Sequence, residues 1–368
     1  MKGQVKFIDK DKSAFYNTLR ENVDRYFSEN NISKNANGTM VFKTIILMLM
    51  YLGPLALISI YQPSFAVSIL LWSVMGLGLA GIGMSVMHDA NHGAYSANEN
   101  VNRILGHTLI LLGGSVFNWK LQHNILHHTY TNITDMDEDI DNKLVLRFSP
   151  HTKAHWLHRF QKFYALFFYG IMTLYWCTLK DFIQFSKYAR NRVNTKSTGE
   201  NIQKLAEIIA GKVLYYFVFF GIPVFIAGIP FLAVLPGFIL MHFIAGIILT
   251  VVFQLAHTVE GTEHPVPDLN GNIENSWAIH QMNTTKNFSP KNKWISWYVG
   301  GLNFQIEHHL FTRVCHVHYP KIAPIVKKTA GEFGIPYMEN ESFLIAIRSH
   351  FSILQKFGKL PDLNTALG

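Results

Sequence analysis

Three short groups of histidine dominate the chemistry this chain can carry. They are His88-Asp89-Ala90-Asn91-His92, His123-Asn124-Ile125-Leu126-His127-His128 and Gln305-Ile306-Glu307-His308-His309, out of 18 histidines in 368 residues. Histidine is the commonest metal ligand, so spacing matters more than number. On an α-helix, residues four apart share a face, which pairs His88 with His92 and His123 with His127. His128 then lies about 100° round the helix from His127. Gln305 sits one turn before His308 and His309. Adjacent histidines diverge, so such a pair can serve two neighbouring metals from one helix. His257 is a fourth, single element, placed at the end of an apolar run as His88 is. Imidazole suits zinc, copper, iron and nickel. A catalytic zinc takes three protein ligands, and eight candidates are too many for one ion, so the set suits a pair. Asp89, Glu307 and the acidic run of Asp135, Asp137, Glu138, Asp139 and Asp141 can orient imidazoles from behind, although the run reads equally well as a solvated loop. His107, His151, His155, His158, His242, His264, His280, His316, His318 and His350 lack this shared spacing and are assigned structural or surface places.

The elements that must position these groups include a membrane. A spanning helix needs roughly 20 apolar residues. Runs at about 44–61, 65–87, 213–230 and 231–256 meet that length without a single Lys, Arg, Asp or Glu. They form two hairpins with uncharged turns. Every Lys and Arg lies in the N-terminal part, between the hairpins or in the C-terminal part, so the positive-inside rule puts both termini and all the histidine groups on the cytoplasmic side. Two shorter runs, 104–119 and 163–177, are read as re-entrant or interfacial. The expected fold is all-α, with four transmembrane helices in two hairpins and a cytosolic helical cap carrying the histidines. The expected divisions are a cytosolic segment 1–40, a main domain 41–336 and a cytosolic tail 337–368. No signal peptide is visible. The formal charge of +8 suits a protein facing anionic headgroups, and no nucleic-acid partner is expected. Cys177 and Cys315 give neither a disulfide framework nor a metal motif.

From about 40 to 336 the chain resembles the membrane fatty acid desaturases. The three histidine groups look like that family's three histidine boxes in order and spacing, and Asn283-Thr284-Thr285 precedes the third as it does there. The resemblance implies a di-iron centre that uses O2 to remove two hydrogens from an unactivated acyl chain. It places His88, His92, His123, His127, His128, His308 and His309 on metal-ligand positions, with His257 matching a separate ligand after the last span. Gln305, standing where other branches have histidine, resembles front-end desaturases, which act between an existing double bond and the carboxyl end. Gln305 then holds a metal-bound water or acts from outside the ligand set, as Asp89 and Glu307 do. No fused cytochrome b5 domain is evident, so an external donor such as ferredoxin or cytochrome b5 is implied. Thr312 stands where the family pattern has proline.

The expected substrate is a fatty acyl chain, as acyl-CoA or acyl lipid, and the expected product carries a cis double bond. Zinc can substitute for iron in overexpressed protein, because it outranks Fe(II) in affinity for imidazole. The expected site is the inner membrane of a bacterium or the endoplasmic reticulum of a eukaryote. Phe117, Trp119, Phe253, Trp277 and Phe304 are candidate walls of an acyl tunnel. The alternative within the same chemistry is a membrane di-iron hydroxylase of alkyl, sphingolipid or carotenoid chains. A metal transporter is disfavoured, since only His242 lies inside one of the four spans.

Overall fold

The computed structural model describes residues 5–9, 14–140 and 145–361. Asp141 falls outside them. The described chain is helical, apart from two parallel pairs of two-residue strands. Among the described residues, four helices are long and apolar enough to cross a membrane: Gly38–Tyr61, Phe65–Asn91, Thr198–Ile226 and Phe231–His257. The protein is an all-α membrane protein. Two compact units divide it. One gathers Ala36–Leu121 and Leu166–Val251, and the other Met1–Asn35, Gln122–Ala165 and Val252–Gly368.

In the span-bearing unit the helices run further than their apolar stretches. The first begins at Gly38 rather than 44, because the Asn37 side chain caps it by accepting the Met40 N–H at 3.2 Å. Lys43 thereby enters the helix and is buried. The third begins at Thr198 rather than 213. A capping box starts it: Ser197 Oγ accepts the Glu200 N–H, and the Glu200 carboxylate accepts the Ser197 N–H. Charge therefore ends the apolar run but not the helix. Lys212, inside it, is neutralised by Asp181 at 2.6 Å and donates to the carbonyls of Gly113 and Trp176. The same helix stops at Ile226, short of 230, and Gly228 follows with φ +72°. The second helix continues through a π-helical turn, Ile82–Val86, to Asn91. His88 thus lies within the helix, and His92 is its C-cap.

The first hairpin turns at Gln62, in the left-handed region at φ 44°. Its side-chain amide donates to the Ala227 carbonyl in the second turn at 2.6 Å, so both turns lie at one end of the bundle. The two shorter apolar runs enter this bundle. Residues 99–119 form three short helices, and Tyr51, midway along the first span, donates to the Leu111 carbonyl at 2.6 Å. The helix Gln161–Tyr175 packs on the middle of the fourth span. Thr173 Oγ1 donates to the His242 carbonyl at 2.7 Å, and a Cβ on Gly246 would come within 2.5 Å of the Gly170 oxygen. His242, inside the fourth span, is held by Tyr215 and Thr173.

The other unit is a helical body. Helices Phe15–Glu29 and Tyr319–Glu332 pack through Leu19, Val23, Ile322 and Val326, and Ile306 and Leu310 of the third histidine group join the same core. Residues after 336 fold into this unit. Glu339–Asn340 pairs with Asn287–Phe288, and helix Phe343–Lys359 is tied down where Arg147 donates to the carbonyls of Phe357 and Leu360.

Candidate metal centre

The first box lies in the span-bearing unit. His88 and His92 are one turn apart, with ring centroids 4.7 Å from each other, and Trp119 packs edge-on against both. Asp89 Oδ1 lies 3.9 Å from His88 Nδ1.

The remaining candidates belong to the other unit, and all are buried. The second box departs from α-geometry. Lys120–His127 is π-helical, with backbone bonds five residues apart. His123 stacks on His127 at a ring centroid distance of 5.3 Å and also meets His128, their Nε2 atoms 3.2 Å apart. Two ring nitrogens that close repel unless a proton or a cation lies between them. His127 turns toward His257 and His309, at ring centroid distances of 4.8 and 4.9 Å.

The third box is a six-residue helix, Gln305–Leu310. Ile306 and Leu310 fix one face in the core. The two histidines then diverge. His308 faces His123 and His128, whereas His309 faces His127, His257 and His128. Two ligand groups result, His127/His257/His309 and His128/His308/His309, each with nitrogens within 4.8 Å of one another.

Hydrogen bonds fix the tautomers. His127 Nδ1–H donates to Asp137 Oδ2 at 3.0 Å. His309 Nδ1–H donates to Gln281 Oε1 at 2.7 Å, while the Gln281 amide nitrogen donates to the His128 carbonyl. His257 Nδ1–H points at the Thr284 carbonyl, 3.4 Å away. With Nδ1 committed, Nε2 of each ring keeps its lone pair. The Nε2 atoms of His127 and His309 are buried without a hydrogen-bond partner. An unsatisfied buried polar atom costs about 1–3 kcal/mol, which a shared cation removes. The donor set, all neutral imidazole backed by outer acceptors, fits a first-row transition metal.

Burial pulls the His127 pKa down, but the charge and hydrogen bond of Asp137, with Asp139 beyond it, more than reverse this and leave it raised. Asp137 is itself buried, yet His127 and the backbone N–H groups of Asn132 and Asp139 hold its pKa low. His309 is pushed down by burial and by the surrounding histidines, which favours the neutral form a metal requires.

Gln305 lies beside the first group. Its Nε2 donates to His257 Nε2 at 2.9 Å, and its Oε1 has no hydrogen-bond partner. Glu307 points elsewhere: its oxygens accept from Asn287 and Tyr337, and burial pushes its pKa up to about 7. Of the candidate tunnel residues, Phe253 stacks near His127 and His257, and Trp277 Nε1 donates to the His128 carbonyl.

Sequence reasoning did not single out Asp137 from its run, and Gln281 and Asn132 not at all. Asn132, left-handed at φ 59°, bridges the carbonyls of His257 and Glu263. The available signal was the run of amides and hydroxyls between 281 and 287, polar residues on buried elements close to a histidine box.

Known proteins agree with this geometry. The family model described as fatty acid desaturase matches residues 63–341. The chain is 36% identical to an sn-1 linoleoyl-lipid 6-desaturase of Synechocystis, over 97% of this chain and 98% of that one. It is 36% identical to the protein of the same name from Arthrospira platensis, over 95% and 94%. It is 34% identical to an acyl-lipid (8-3)-desaturase of Physcomitrium patens, over 97% of this chain and 74% of that one. Four spans, three histidine boxes, a family model over most of the chain and two 6-desaturases matched along almost their whole length lead to one conclusion: the chain belongs to the fatty acid desaturase family.

Proposed function

We propose that this fatty acyl desaturase is a front-end enzyme that works on acyl chains esterified in membrane lipids, with a histidine-held pair of irons. The observation that carries the metal reading is the divergence of His308 and His309 into two ligand groups, the first of which, His127/His257/His309, has its outer nitrogens already directed at Asp137, Thr284 and Gln281. Bound irons would supply the activation of O2 needed to break unactivated C–H bonds. His127, His257, His309, His128, His308 and His123 would hold them, and the box pattern gives His88 and His92 the same role. Asp137 and Gln281 keep two imidazoles in the metal-binding tautomer, and Phe253 screens that side from water. The names of the cyanobacterial relatives support a lipid-linked substrate and a bond six carbons from the carboxyl end. Electrons come from a separate carrier, ferredoxin or cytochrome b5.

The test is expression in a host without polyunsaturated lipids, fed linoleate, with gas chromatography of each lipid class. A new cis bond on the carboxyl side of the existing one, made on intact lipid, is expected, together with about two irons per chain after ferrous reconstitution. An alcohol would mean the hydroxylase reading instead, and one metal with full activity would end the paired site.

Both termini and the histidine boxes face the cytoplasm in this proposal. Support comes from the two hairpin turns meeting at one end of the bundle, with Lys43 and Lys212 far along the helices from them. Both native cysteines are buried, so background labelling is low. A cysteine placed at Ser64 should label from outside the membrane, and one at Arg190 only from inside. The reverse pattern would reject this orientation.

A further inference from the structure

We propose that Asn287, Glu307 and Tyr337 form a split helix cap that sets the direction of His308 and His309, a positioning role that rests on the metal-centre reading above. The third-box helix has six residues and no cap of its own, since the residue before it, Phe304, offers no side-chain acceptor. Isolated helices this short are unstable in water, and their first N–H groups need partners. Asn287, from 19 residues upstream, supplies one: its Oδ1 accepts the Ile306 N–H at 2.9 Å. Its Nδ2 donates to Glu307 Oε2 at 2.8 Å. Glu307 is the third residue of the helix, where in an ordinary capping box a glutamate reaches back to the capping residue itself. Here it reaches a remote asparagine. Tyr337, from 30 residues downstream, donates to the other carboxylate oxygen at 2.9 Å.

The cap is anchored at its base. Asn287 N–H donates to the Met338 carbonyl and Ser289 N–H to that of Asn340, so the strand carrying the asparagine is paired with the segment carrying the tyrosine. Asn287 and Glu307 are wholly buried. Ile306 and Leu310 hold the helix by its apolar face, and the cap holds its N-terminus. Because successive residues are about 100° apart on a helix, a rotation that freed the N-terminus would turn both histidines away from their groups together.

The test exchanges donor and acceptor in the full-length protein. N287D keeps an acceptor for Ile306 but sets a carboxylate against Glu307. It should lose about 10–100-fold in metal affinity, as disturbed outer contacts do. Adding E307Q restores the pairing in reverse, the new amide donating to the new carboxylate. The double variant should recover to within a few-fold of wild type. Metal affinity and the visible spectrum of the cobalt(II)-loaded protein are measured on samples matched for size-exclusion profile and helix content. A double variant no better than N287D, or N287A with wild-type affinity and spectrum, would overturn the cap. Wild-type protein that bound no metal would instead count against the metal-centre reading.

Discussion

Alanine at His309 is expected to strip the site of metal and abolish desaturation, a loss beyond the roughly 100-fold ceiling of outer-contact changes. His309 is the one residue common to the two all-histidine ligand groups of its unit. Its ring is also locked, with Nδ1–H on Gln281 and Thr131 nearby, so no other side chain can take over its nitrogen. The contrast is Gln305→Ala. Gln305 reaches His257 through a neutral amide and cannot replace an imidazole donor. That variant should keep most of its metal and lose activity strongly. Gln305→His, which restores the residue of other branches, should keep metal and change activity or the position of the double bond. Iron per chain and the product profile are read on the same membranes. Full metal in His309→Ala would remove it from the ligand set, and unchanged products in Gln305→Ala would make Gln305 an ordinary helix residue.

The second large effect is expected at Asp137. This carboxylate is fully buried and accepts from His127 Nδ1 and from the backbone N–H groups of Asn132 and Asp139. Asp137→Ala leaves those donors without an acceptor at about 1–3 kcal/mol each, and the variant should fail to accumulate as folded protein. Asp137→Asn separates stability from chemistry. The amide oxygen can still receive one N–H, but the charge that favours a cationic site is gone. Metal affinity or activity should fall about 10–100-fold. Competition against a chelator, at matched helix content, measures it. Wild-type affinity in Asp137→Asn would show that Asp137 only stabilises the loop.

Alternatives left open by the sequence closed for local reasons. The acidic run read equally as a solvated loop, and both descriptions apply to it: Asp135 is exposed at φ 67°, while Asp137, two residues on, is buried against His127. Periodicity cannot make that distinction, because a turn points neighbouring side chains in unrelated directions. The helices outrun the apolar spans where charge and helix part company. The Ser197–Glu200 box begins the third span's helix well before its apolar part, and Lys212 is tolerated because Asp181 meets it.

The sequence by itself determined the four apolar spans and the three histidine clusters, since apolar length and residue spacing are local properties that can be read along the chain. Which histidine faces which was decided by tertiary structure. The spacing pairs His123 with His127, and their rings do stack at 5.3 Å, but only the fold also brings His128 to His123 and His257 to His127. The outer contacts were equally out of reach. Gln281, Asn287 and Tyr337 act on the third box from 28, 19 and 30 residues away. A hydrogen bond between such distant residues leaves no period or spacing in the chain, because it exists only once packing has brought its two ends together.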